Sequence, residues 1–322
     1  MMDYNVALER TKILRKRASS VMFVVIRTIL CIGFAYTILY PLIMMISRSF
    51  MSAADLYDNS VVWIPKNFTL DTMKAMLKQL DYFPSFLNSM WISLTVTLLQ
   101  LASTIMAGYG FARFKFPGRN LLFGGVIFSL LVPPQLIVLP QYLNFKEFDI
   151  FGMFQVLFGA PVNMLESSVP IFILAATANG IKCGLYIYIF RQSFINMPVE
   201  IEEAATVDGA GAWRTFITIM IPSVSNAAIT VALFSFVWQW NDLFYSRIYL
   251  KEKTLTMLYG GVSLENLSAT NPSFSDYNFY NVTFQAAFKG ASVLLILLPL
   301  VIIFLFLQRY FVESVENSGI VG

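Results

Sequence analysis

The chain has no histidine and only two cysteines among its 322 residues. The first absence removes the commonest general base and metal ligand near neutral pH. The second removes a disulfide framework and any cysteine-based metal cluster, because Cys31 and Cys183 both fall in apolar stretches and read as packing residues. Charge is scarce as well: 13% of residues are Asp, Glu, Lys or Arg, where a soluble domain carries about 25%. No G-x-x-x-x-G-K-[ST] phosphate loop occurs, so any work driven by ATP needs hydrolysis on another chain. Asp242 is the one acid inside the apolar runs, and it lies near an end. That speaks against a secondary transporter, which couples to ions through intramembrane acids, and against a membrane-embedded enzyme, which needs clustered acids, histidines or metal ligands. The first 27 residues carry Arg10, Lys12, Arg15, Lys16, Arg17 and Arg27 but no short apolar core with a cleavage site, so no removable signal peptide is expected and the amino terminus should remain in the cytoplasm.

What the chain does have is apolar length. Hydrophobic residues make up 57% of it and its mean hydropathy is +0.67, the mark of an integral membrane protein. A bilayer core needs about 20 apolar residues per helix, and six runs qualify: 28–46, 86–112, 120–142, 168–190, 223–244 and 290–307. The division is then a basic amino-terminal segment 1–27, a six-span body 28–308 and a tail 309–322. Short basic loops stay on the cytoplasmic side, so the acid-free loop Arg113 to Arg119 is placed inside, with Arg191, Arg214 and Arg309, while 51–82 and 247–289 fall outside. Both termini then lie in the cytoplasm. Pro133 and Pro134 interrupt the third run near its outer end, either lining a pathway that satisfies the freed carbonyls or simply kinking the helix. The short apolar stretch 151–165, with Gly159 and Pro161, reads as interfacial or re-entrant.

One polar insert stands between the fourth and fifth runs, over 196–222. Pro198 suits the first turn of a helix, where its missing N–H is no loss, and Glu200, Glu202 and Glu203 lie where the helix dipole favours negative charge. Gly209 is expected to end this helix in a left-handed conformation and to turn the chain into a second helix over 212–221, with Pro222 at the entry to span five. Small Ala204, Ala205 and Ala210 allow a neighbour to approach closely.

The insert reads Glu203-Ala204-Ala205, Gly209, Ile219, Ile221, Pro222, and this resembles the conserved cytoplasmic loop of ABC importer permeases, E-A-A, three residues, G, nine residues, I-x-L-P, with Ile for Leu at 221. The similarity extends to Phe86-Leu87-Asn88-Ser89, to the stretch from Ala112 to Arg119, to Trp240-Asn241-Asp242, and to the stretch from Phe306 to Val312. Together these resemble the maltose-transporter-like carbohydrate-uptake permeases, in particular their shorter six-span membrane subunit.

The resemblance implies an all-α integral membrane protein of the type I ABC importer permease fold, with six transmembrane helices and a cytoplasmic coupling helix between spans four and five, in a bacterial plasma membrane. It implies four kinds of partner besides the bilayer: a second homologous permease, two ATP-binding subunits, an extracytoplasmic solute-binding protein and a sugar. It implies no cofactor, metal, catalytic residue or nucleic acid. Glu203, Ala204, Ala205, Asp208, Gly209, Ala210 and Pro222 become the ATPase-coupling residues, with Glu203 as the polar contact and Gly209 as the hinge. Lys182, Trp240, Asn241 and Asp242 are the candidates for the translocation pathway. For Lys182 two readings stand open, a group facing the pathway or a partner carboxylate, and a side chain snorkelling to the outer surface. For the other three the alternative is an aromatic belt at the interface. Two features depart from the family pattern. The segment between spans five and six is long, and its Asn271, Asp276, Tyr277, Phe279 and Tyr280 suit either sugar rings or an ordinary outer loop; the carboxyl end, Asn317 to Gly322, lacks the family's lysine. A glycerol phosphate derivative is the alternative cargo.

Overall fold

The computed structural model describes residues 2–251, 253–259 and 281–319. Among these every regular element is a helix, and the extended pairings are two isolated backbone bridges, Met51 with Phe68 and Phe148 with Val162. Three helices are long and apolar enough to cross a membrane: Ser20–Ser49, Tyr82–Arg113 and Val282–Phe306. Two bent pairs raise the number to five if each is one broken span: Arg119–Ser129 with Pro134–Lys146, bent by 101°, and Ala212–Ser223 with Ser225–Trp240, bent by 76°.

The interruptions have local causes. Pro133 and Pro134 lack amide donors and push the preceding residue out of the helical region, so the helix from Arg119 stops at Ser129 and restarts with Pro134 at its favoured first position. The run expected as one span over 168–190 is two helices, Val169–Ala176 and Cys183–Ile195. Between them Ala178 takes the left-handed conformation (φ 57°), and the Asn179 N–H donates to Leu174 O at 2.8 Å, closing a C-terminal motif that glycine usually serves.

The chain divides into two compact units. The first, Met1–Met76 with Ser263–Leu294, contains the amino-terminal spanning helix and a loop over 50–70 built round one buried carboxylate. Asp55, 3% exposed, accepts from the Asn67 backbone N–H at 2.7 Å and from Asn67 Nδ2 at 2.8 Å. On the loop's surface Lys66 Nζ lies 2.8 Å from Asp58 Oδ2. The Lys66 and Ser60 hydrogen bonds hold that carboxyl well below the ordinary carboxylate range.

The second unit, Leu77–Val262 with Leu295–Gly322, is built on Tyr82–Arg113. One face of this helix is a buried seam of small polar residues, Ser85, Ser89, Ser93, Thr97, Gln100 and Thr104, recurring at helical spacing. Their hydroxyls return to carbonyls of the same helix, as in Ser89 to Ser85 O (2.8 Å) and Thr97 to Ser93 O (2.7 Å). They also tie in neighbours. The Leu255 N–H donates to Ser89 Oγ at 3.0 Å, Ser103 Oγ donates to Ala175 O at 2.7 Å, and Ser235 Oγ donates to Gln100 Oε1 at 2.5 Å. In lipid, apolar side chains gain little by meeting one another, so small residues and interhelical hydrogen bonds hold helices together. Gly108 shows how near the backbones come: a Cβ there would sit 2.5 Å from Phe190 Cβ. Toward Arg113 the seam gives way to an apolar cluster of Tyr186, Phe190, Phe194, Phe216 and Met220 packed with Ile105.

Candidate functional site

The polar insert forms a helix over Glu200–Val207, a turn, a second helix that opens at Ala212 and continues to Ser223, and then the bend into Ser225–Trp240. Its first turn carries Glu200, Glu202 and Glu203. Gly209 has φ 77°, and the two amides at the helix end donate backward, Gly209 N–H to Thr206 O (3.0 Å) and Ala210 N–H to Ala205 O (2.9 Å). This is the paired closure of a glycine-ended helix. The second helix contains a π-helical stretch, Phe216–Met220, just before Pro222.

The two adjacent glutamates take opposite roles. Glu203 is exposed; Glu202 turns inward, its Oε1 2.8 Å from Arg113 Nε, with side chains 21% and 10% exposed. The contact is an ion pair rather than an aligned hydrogen bond, and the guanidinium donates elsewhere, from Nη2 to Met197 O at 2.9 Å. Arg113 is the last residue of the Tyr82–Arg113 helix, so the pair fastens the end of a membrane helix to the first turn of the loop helix. One turn earlier, Tyr109 meets the rings of Phe194 at 5.3 Å and Phe216 at 4.8 Å. The segments that lead into and out of the loop helix are thereby packed on the same membrane helix.

Of the other coupling candidates, Ala205 is buried, Ala210 is half-buried, and Ala204, Asp208, Gly209 and Pro222 are exposed. An apolar set accompanies them outward: Val207 is 87% and Trp213 66% exposed. Reading the sequence for small residues missed these two. A valine and a tryptophan on either side of the Asp208 to Gly211 turn were the available signal.

The four pathway candidates do not converge. Lys182 is exposed in the break of the fourth run, in a left-handed conformation (φ 60°), with its ammonium 5.0 Å from the centre of the Trp238 ring. Trp240 is 2% exposed; its Nε1 donates to Ile296 O at 3.2 Å, and its ring packs on Phe236 and Phe86. Asn241 donates to Val237 O at 2.8 Å. Asp242 caps the next helix, Phe244–Tyr249, accepting from the Tyr245 N–H (3.2 Å), the Ser246 N–H (2.7 Å) and the Ser246 hydroxyl (2.9 Å). Gln100, Asn179, Gln239 and Tyr245 instead line a small hollow beside the break. Gln239 is 5% exposed and its Oε1 has no hydrogen-bond partner among the described residues. The aromatic and polar residues singled out over 271–280 lie outside the described residues.

A family model described as the binding-protein-dependent transport system inner membrane component matches residues 100–317. The chain belongs to that family. Protein LplC of Bacillus subtilis (strain 168) is 30% identical over 296 residues, which cover 89% of this chain and 90% of LplC. The arabinooligosaccharides transport system permease protein AraQ of Halalkalibacterium halodurans is 26% identical over 300 residues, 91% of this chain and 96% of AraQ. The crystal structure of a bacterial ABC transporter involved in the import of the acidic polysaccharide alginate contains a chain that matches with a TM-score of 0.71 at 22% identity, covering 91% of this chain and 98% of that one. The fold is therefore the type I importer-permease fold, and this member of the family is a multi-pass membrane transport component and not an enzyme. The clasped loop helix and the hollow both lie in the matched region.

Proposed function

We propose that this permease imports oligosaccharides, forming half of a translocation pathway with a second homologous permease and taking its drive from two ATP-binding subunits under the loop helix. An extracytoplasmic solute-binding protein delivers the cargo. The sugar reading rests on the name of the AraQ relative; the coupling reading rests on one observation, a helix whose base is fastened to a membrane helix through Arg113 and Glu202 while its far face is bare. Such an element can pass a displacement inward only if something grips its outer side. Exposed Glu203 supplies the polar contact to an ATPase cleft, with Ala204, Asp208, Val207 and Trp213 around it. Gly209 supplies a turn that no other residue takes without strain. In this reading the plasma membrane of a bacterium holds the chain with both termini and the Arg113 to Arg119 loop in the cytoplasm, and 51–82 and 247–289 outside.

At the pathway, Lys182 keeps a place beside Trp238, and the hollow offers Gln239 Oε1, without a partner among the described residues, to a sugar hydroxyl, while the Gln100 amide is engaged by Ser235 and Ile181. Trp240 and Asp242, whose polar atoms are engaged within the chain, shape the wall rather than touch the cargo, and Asn241 lies beside them. Purification of the tagged chain from membranes tests the reading. The expected product is a complex of two different permeases and two ATPase chains whose ATP hydrolysis rises when a sugar-loaded binding protein is added. A chain that purifies alone, or supports uptake in vesicles without ATP, overturns it.

A further inference from the structure

We propose that the turn over 62–64 is a membrane-interface anchor, with Trp63 and Ile64 seated where lipid headgroups meet acyl chains beside the carboxyl end of the first spanning helix. All of its residues belong to the first unit. Ser47, near the end of Ser20–Ser49, donates from Oγ to Trp63 O at 2.7 Å, so the chain turns back onto the helix it has just left. The Trp63 ring then meets Tyr40 edge-on at 5.3 Å, and Tyr40 meets Tyr36 at 5.5 Å. Tyr40 lies seven residues before Ser47, and at about 1.5 Å per residue the ring reaches about 10 Å back along the helix. Val62, Trp63 and Ile64 stand exposed in a row, Ile64 at 79%. The turn is held rigidly: Phe50 stacks on Phe68 at 5.2 Å, and buried Asp55 grips Asn67.

Helix length identifies lipid as the occupant. Ser20–Ser49 has 30 residues, about 45 Å at that rise, against a hydrocarbon core of about 30 Å. With the core centred on the helix, its boundary falls at about residue 44, between the level of the Trp63 carbonyl at Ser47 and that of its ring at Tyr40. Trp and Tyr are the side chains that settle at this boundary, because an apolar ring carries a polar N–H or O–H that keeps to the wet side. The nearest charges do not oppose entry, since Lys66 is paired with Asp58 at the loop surface. Little of Ser20–Ser49 is buried within the chain, and interfacial aromatic residues are what fix the depth and tilt of such a helix. The inference goes beyond the proposed function and needs only that Ser20–Ser49 crosses the membrane.

The test measures depth by spin labelling. The full chain, purified with the subunits that accompany it and placed in nanodiscs of phosphatidylcholine and phosphatidylglycerol, carries Cys31→Ala and a nitroxide on either Ile64→Cys or Asn59→Cys. Cys183 is buried and stays unlabelled. Both labelled positions are exposed, so neither change disturbs folding. At 64, relaxation by oxygen, which concentrates in lipid, is expected to exceed relaxation by a water-soluble nickel chelate and to place the label about 5–10 Å below the phosphates. At 59 the order should reverse. A label at 64 relaxed mainly by nickel overturns the proposal by placing the turn in water. One shielded from both reagents overturns it by showing protein cover, from a second permease or from the rest of this chain. Neither outcome bears on whether ATPase subunits copurify, so a failure of the importer reading would show separately.

Discussion

Removing Glu202 tests the clasp directly. Glu202→Gln keeps the side chain's volume and deletes its charge, leaving the Arg113 guanidinium, 10% exposed, with the Met197 carbonyl as its partner. Breaking a fully buried pair costs about 3–5 kcal/mol and an exposed pair about 0.2–1 kcal/mol. At 10% and 21% exposure the value falls between, about 2 kcal/mol. That cost lands on a local equilibrium, because the helix Glu200–Val207 has eight residues and isolated helices below about 12 residues are marginal in water. Undocking and unwinding of the loop helix are therefore one event, and at about 1.4 kcal/mol per factor of ten its population should rise about thirtyfold. Hydrogen–deuterium exchange on the purified complex reads this as faster exchange over 200–210, with 225–240 unchanged. In vesicles the same variant should hydrolyse more ATP per sugar imported. The reversed pair, Arg113→Glu with Glu202→Arg, should recover much of both, since the contact is an ion pair without strict alignment. Unchanged exchange over 200–210 in Glu202→Gln refutes the reasoning, and so does a reversed pair no better than either single variant.

Gly209→Ala should cost about 1–2 kcal/mol through left-handed strain alone, because nothing lies within 4 Å of an added Cβ; Gly209→Trp should leave the complex assembled but uncouple hydrolysis from uptake, and normal transport by it would contradict the hinge. Gly108→Leu should lower thermal stability by more than the 1–3 kcal/mol of ordinary overpacking, since its first carbon already collides with Phe190, and an unchanged melting temperature would disprove the close crossing. Asp242→Ala should cost about 1 kcal/mol as a lost cap without altering cargo affinity; an affinity change at constant stability would return Asp242 to the pathway. For Asp58 the sign follows from a carboxyl held below its ordinary value by Lys66 and Ser60: the order of the 50–70 loop should be constant from neutral pH down to the ordinary carboxylate range and loosen progressively as pH falls below it, and loosening near neutrality would refute the assignment.

Much of this architecture was legible because it follows from one-dimensional rules. Hydrophobic runs mark helices, Pro133 and Pro134 mark a break, and Gly209 marks a helix end, since each acts through its own backbone chemistry. The fourth run was read as continuous because its stop uses Ala178 in a left-handed conformation, a place where sequence reading looks for glycine. The size of a bend is equally invisible. Two prolines announce an interruption, but the angle of 101° comes from what each half packs against.

The residues that fasten the loop helix were hidden for a different reason. Adjacent helical positions differ by about 100° in direction, so of Glu202 and Glu203 only one can face the membrane helix. Nothing within the loop decides which. The choice belongs to Arg113, far away in the chain, whose position at the end of Tyr82–Arg113 sets the phase of the loop helix when the pair forms. The same logic applies to the pathway candidates: Trp240 and Asp242 invite a ligand role by residue type, yet their donor and acceptor atoms are already engaged by Ile296 and Ser246, while Gln239, unremarked as a sequence feature, keeps a buried carbonyl oxygen without a partner among the described residues. A buried acceptor left unpaired costs about 1–3 kcal/mol, and the group that removes that cost identifies the site better than the type of residue does. Pairing of that oxygen with a sugar hydroxyl in a substrate-loaded complex would place the pathway along the break of the fourth run rather than past Trp240.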